Sequence, residues 1–150
     1  MNAFLTELPW AVLGSAGFAL LFGLRANKIL YGALGGGVAW AVYILCEVYL
    51  KGDILICFLI SAAAGTAYSE ILARLLRTPA TVILIPTVIP LVPGGSLYYT
   101  MSSLIASDRA AAAAYGSSTI KSAIGIAAGI TVVTIISRPM KFITRRKPKE

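Results

Sequence analysis

The stretch Thr78-Pro79-Ala80-Thr81-Val82-Ile83-Leu84-Ile85-Pro86-Thr87-Val88-Ile89-Pro90-Leu91-Val92-Pro93-Gly94-Gly95-Ser96-Leu97-Tyr98-Tyr99-Thr100-Met101 decides how this chain is read. It is apolar enough for hydrocarbon, yet Pro86, Pro90 and Pro93 interrupt it and Gly94 and Gly95 follow at once. Each proline removes an N–H and displaces the carbonyl four residues back. In a continuous helix the carbonyls of Val82, Pro86 and Ile89 would lose their partners, at several kcal/mol each in lipid. The segment therefore reads as a broken helix or a re-entrant pair, shielded by protein and lining a polar space.

The rest of the chain supplies the membrane. Of 150 residues, 58% are hydrophobic and 13% charged, with a mean hydropathy of +0.84. Soluble domains carry about 25% charged residues, and a soluble fold of this composition would expose large apolar patches. Four further apolar runs accompany the proline-rich one, giving spans over 8–24, 29–50, 54–72, 80–106 and 118–137. Each is close to the roughly 20 residues a helix needs to cross a bilayer. The runs are continuously apolar, whereas strand barrels alternate. The expected fold is an all-α integral membrane protein of five spans, the fourth broken. Residues 1–137 form its membrane domain, with a basic tail over 138–150. The alanine-rich stretch from Asp108 to Ser118 fits as an extension of either neighbouring helix.

Charge sets the orientation. Arg25 and Lys28 stand unbalanced in the first connection, and Arg74 and Arg77 in the third. Lys51 is offset by Asp53 in the second, and Arg109 by Asp108 in the fourth, with Lys121 entering the fifth span. Six of the thirteen basic residues fall in the last thirteen positions: Arg138, Lys141, Arg145, Arg146, Lys147 and Lys149. In a soluble chain a net charge of +7 would point to nucleic acid. Here the tail reads as a topology anchor and no nucleic-acid partner is expected. The positive-inside tendency places the N-terminus outside and the C-terminus in the cytoplasm, in a bacterial inner membrane.

Several functions are excluded by what is missing. With no histidine, no His-based catalytic, proton-relay or metal site exists, and no cofactor is expected. Cys46 and Cys57 lie in apolar runs and read as buried thiols. An enzyme is disfavoured by the absence of any acid cluster.

The candidate site follows from the break. Transporters place solutes at discontinuous helices near the midplane, where a restarted helix offers free N–H groups to a carboxylate. Pro86, Pro90, Pro93, Gly94, Gly95, Ser96 and Tyr98 are the expected pathway residues, with Ser96 as cap of the second half-helix. A kinked packing helix is the plainer alternative. Glu47, near the outer end of the second span, is a candidate coupling acid; interfacial solvation is its ordinary explanation. Glu70 can pair with Arg74 one turn on. Gly32 and Gly36, and Gly125 and Gly129, form GxxxG pairs that let helices approach closely, within the chain or in a homo-oligomer.

The run Gly17-Phe18-Ala19-Leu20-Leu21-Phe22, the pair Ala73-Arg74 with Thr78-Pro79, and above all Ile89-Pro90-Leu91-Val92-Pro93-Gly94 followed by Tyr98 resemble the threonine/serine exporter family. The chain resembles its small separate subunit, equivalent to the C-terminal half of fused exporters. The resemblance implies secondary transport that exports small amino acids, or dicarboxylates in some relatives, together with a larger membrane subunit. A non-transporting structural subunit is the competing expectation.

Overall fold

The computed structural model describes residues 2–50 and 53–144, and no strand occurs among them. In order come α1 (Asn2–Leu21), α2 (Ala26–Leu45) running into a π turn (Cys46–Leu50), and α3 (Ile54–Leu75). They are followed by α4 (Ala80–Val88), a 3-10 turn (Ile89–Leu91), α5 (Gly94–Ile105) and α6 (Arg109–Thr144). Lys51 and the tail residues Arg145, Arg146, Lys147 and Lys149 lie outside the described residues, as do the side chains of Arg138 and Lys141.

Three stretches, Lys28–Tyr49, Ile54–Leu75 and Arg109–Ser137, are each long and apolar enough to cross a bilayer. Ala80–Leu91 and Gly94–Ile105 meet the same standard as a pair, bent by 49°. The described part of α1, Thr6–Leu21, is apolar but shorter.

Local chemistry explains the boundaries. After α1, Gly23 adopts φ +68°; its N–H bonds to Leu20 O and that of Leu24 to Ala19 O, a Schellman termination that ends the helix before residue 24. The same pattern ends α3 at Arg77 (φ +49°) and α5 at Ser107 (φ +60°), without glycine. Asp53 caps α3 by accepting the Leu55 N–H at 3.4 Å. Asp108 caps α6, its carboxylate accepting the Ala111 N–H at 3.0 Å. That cap assigns the alanine-rich stretch to the last helix, which begins at Arg109 instead of residue 118.

Small residues set the packing. α2 is central, touching α1 on one flank and α3 and α4 on the other, while α6 lies along α3. Gly125 and Gly129 place the α6 backbone against α3: a Cβ on Gly125 would stand 2.5 Å from Leu55 O, and one on Gly129 would strike Leu59 O. Gly32, Gly35 and Gly36 do the same for α2 against α4 and α1. The pairs thus serve contacts within the chain. Among the described residues α5 packs chiefly on α6 and has no buried residue.

Side chains fix which connections share an end. Lys28 Nζ donates to Thr78 Oγ1 at 2.9 Å, tying the first connection to the third. Arg74 donates to the Ser137 carbonyl at 3.3 Å, tying the third to the last turns of α6. At the other end Lys121 pairs with Asp53 at 3.3 Å. Lys121 follows the start of α6 by about 18 Å at 1.5 Å per residue. The α5–α6 hairpin therefore reaches past the level of Asp53.

Candidate functional site

The three prolines of the decisive stretch take three different roles. Pro86 sits inside α4, buried, its ring against α2 where a Cβ on Gly32 would lie 2.8 Å from its Cγ. Pro90 occupies the 3-10 turn, whose opening positions need no donor, and its ring abuts Gly36. Pro93 caps α5 with φ −76° and ψ 55°. The Gly94 N–H bonds across it to Val92 O at 2.7 Å, an inverse γ-turn.

This arrangement corrects two expectations. The Ile89 carbonyl is not orphaned, because the 3-10 turn brings it the Val92 N–H at 3.1 Å. Ser96 does not cap α5: its hydroxyl donates back to the Pro93 carbonyl at 3.2 Å, so it satisfies an acceptor instead of a free N–H.

The expected pathway residues fall into two groups. Pro86 and Pro90 are inside the bundle against the glycine face of α2. Gly94 and Gly95 have open space where a side chain would be. Tyr98 is exposed, edge-on to Tyr99, which in turn stacks with Tyr115 of α6 at 5.3 Å. Glu47 is exposed in the π turn at the Asp53 end of α2. Glu70 is buried, its carboxylate 3.9 Å from the Arg74 guanidinium. Cys46 and Cys57 are buried free thiols.

Beside Pro86 and Pro90 lies a polar interior. Thr87, fully buried, donates to the Ile83 carbonyl at 2.8 Å and accepts from Ser69 Oγ at 3.3 Å. Ser69 also meets the Gly65 carbonyl at 2.9 Å. Tyr68 Oη donates to the Tyr31 carbonyl at 3.0 Å.

Two cavities flank the α1–α2–α4 contact. One, of about 380 Å³, opens at the Lys28 end and is lined by Phe22, Arg25, Lys28, Thr81, Ile85 and Pro86, among others. The other, of about 300 Å³, opens at the opposite end between Glu7, Trp10, Ala11, Trp40 and Pro90. Sequence reasoning missed these linings. Arg25 and Lys28 stood out only as orientation signals. Glu7 and the chain's two tryptophans carried no spacing that singled them out, although tryptophan near a span end marks an interface.

The long apolar helices and the bent helix pair are those of a multi-pass α-helical membrane protein. The family model described as "Threonine/Serine exporter, ThrE" matches residues 7–136, which include the proline-rich element and the linings of both cavities. The chain belongs to that family of amino-acid exporters. Comparison with curated proteins and with solved structures gives no significant match.

Proposed function

We propose that this chain is the small subunit of a secondary transporter that exports small amino acids such as threonine and serine. It works with a larger membrane subunit in a bacterial inner membrane. The observation that carries the reading is the seating of Pro86 and Pro90 on the glycine face of α2, between the two cavities of a chain matched by the exporter family.

In this reading α1 and the bent α4–α5 pair each cross the bilayer, making five crossings with the N-terminus outside and the C-terminus inside. The clustering of the first connection, the third connection and the end of α6 at one end supports that arrangement. The α4–3-10–α5 junction, bent by 49°, serves as the hinge of an alternating-access cycle. Gly94, Gly95 and Tyr98 face the partner side of the pathway, and Glu47 stands at the outer end as the candidate coupling acid.

Two faces support a partner. α5 leaves more than half of Leu97, Tyr98, Met101, Leu104 and Ile105 exposed among the described residues. α1 exposes Gly14 and Gly17, each with open space around it, beside Phe18 and Leu21. Small residues of this kind let a second helix approach in lipid.

The test is efflux of labelled threonine and serine from preloaded cells lacking native exporters. Efflux is expected only when this chain and the larger subunit are expressed together. Full efflux from the larger subunit alone would reduce this chain to a dispensable component.

A further inference from the structure

We infer that the solute passes along the seam where α1, α2 and α4 meet, entering at Arg25 and Lys28 and leaving past Glu7, Trp10 and Trp40. This rests on the transport reading above and assigns the route and the groups that take each end of the solute.

The two cavities come together on α4 and the 3-10 turn that continues it. The larger stops at Pro86 and the smaller at Pro90, one turn apart, or about 6 Å along the axis. Along α1 and α2 the two linings stand about 16–18 Å apart, and the groups that meet the prolines across that contact are small. Ala19, fully buried, lies with the Pro86 ring over Gly32. Ser15, also fully buried, lies with the Pro90 ring over Gly36. The 3-10 turn and the bend that follow give α4 a place to yield.

Ser15 is a costly residue for a mere seal. Its Oγ is buried and has no hydrogen-bond partner among the described residues. A buried hydroxyl left unbonded is unfavourable, and alanine would avoid the cost. The Trp40 indole Nε1, beside the outer cavity, is likewise buried without a partner among the described residues. Hydrogen-bonding groups held at the closure and just beyond it are what a polar solute needs in exchange for its water.

Charge along the seam is polarised. Arg25 and Lys28 line the inner cavity, and among the described residues no carboxylate lies within ion-pair distance of either. Lys28 is held only by the neutral Thr78 hydroxyl. The outer cavity combines the Glu7 carboxylate with two indoles, a set suited to an ammonium group. A zwitterion is thus drawn in by its carboxylate at one end and met through its ammonium at the other.

The test places the only thiol of the chain at the closure: Ser15→Cys in a Cys46→Ala/Cys57→Ala background, co-expressed with the larger subunit. It is probed in oriented membrane vesicles with thiosulfonates of either charge. From the Lys28 end, the anionic reagent should react faster than the cationic one by about tenfold or more, the scale of electrostatic focusing in a charged cleft. Arg25→Gln/Lys28→Gln should abolish that preference, and threonine should slow the reaction. From the Glu7 end the preference should invert, and Glu7→Gln should cancel the inversion. Ala19→Cys provides a second position should Ser15→Cys misfold.

Absence of labelling at both positions, or labelling indifferent to reagent charge, overturns the inference. An anionic preference that neither threonine nor succinate weakens assigns the cationic cavity to a lipid headgroup and likewise overturns the route. Protection by succinate but not threonine upholds the seam and contradicts the amino-acid reading, so the two failures are separable.

Discussion

Arg74 holds the end of α3 to Ser137 in α6, donating to its carbonyl at 3.3 Å while its guanidinium stands 3.9 Å from Glu70. Both interactions lie at the end shared by Lys28 and Thr78, so one side chain ties the longest helix of the fold to the basic connections. Arg74→Gln should lower the stability of the purified chain by about 1–2 kcal/mol, read as a shift in its thermal transition in nanodiscs. The loss falls short of that for a fully buried pair because the Arg74 side chain is 35% exposed. Glu70→Gln should cost less than Arg74→Gln; the reverse order would mean that the Ser137 bond contributes little.

The Asp53–Lys121 pair should behave differently. Both side chains are about half exposed, at 51% and 47%, and such pairs contribute about 0–1 kcal/mol. Asp53 also caps α3 through the Leu55 N–H, a role worth about 1 kcal/mol. Asp53→Ala should therefore destabilise more than Lys121→Gln, and only the Lys121 effect should vanish in high salt. Equal losses would dismiss the capping role.

Glycine substitutions should separate packing from open space. Gly129→Ala drives a methyl into the α3 backbone, with Ala63 N at 2.9 Å. Overpacking of this kind costs about 1–3 kcal/mol. Gly95→Ala meets nothing within 4 Å in the isolated chain and should be neutral or stabilising by up to about 1 kcal/mol. If Gly95→Ala leaves the lone chain intact but weakens its complex with the larger subunit, the α5 face is the one the partner covers.

Ser107 ends α5 at φ +60°, a left-handed conformation that costs a non-glycine residue about 1–2 kcal/mol. Ser107→Gly should relieve most of it and raise the thermal transition. No change, or a fall, would mean that the side chain compensates for its backbone.

Topology provides a further prediction. A fluorescent protein fused after residue 150 should mature, since it reports a cytoplasmic C-terminus, and an exported-phosphatase fusion at Asp53 should be active. The opposite pattern would invert the orientation drawn from Arg25, Lys28, Arg74 and Arg77.

Much of this fold was legible because lipid restricts what a chain can do. Continuous apolar runs marked the three helices long enough to cross a bilayer, and the Pro-Gly run falls where α4 and α5 meet at 49°. Gly23 also announces the end of α1, since glycine accepts a positive φ. Arg77 and Ser107 end helices in the same way without any such sign, because their left-handed conformations are imposed by the chain's return, not by residue type. The roles of the three prolines depend on what faces them: only the packing of α2 shows that Pro86 and Pro90 rest on Gly32 and Gly36. Pro86 and Pro90 border the cavities, whereas Glu7, Trp10, Trp40, Arg25 and Lys28 come together from separate helices, and no local spacing encodes that meeting.

The central claim is that this chain is part of a small-amino-acid exporter. Its most direct test is reconstitution of the chain and the larger subunit into proteoliposomes, with flux of labelled threonine followed across an imposed ion or solute gradient. Saturable flux is expected, competed by serine, that needs both chains and falls sharply with Arg25→Gln/Lys28→Gln. Flux no greater than in protein-free liposomes, from a complex shown to be inserted and intact, would contradict it.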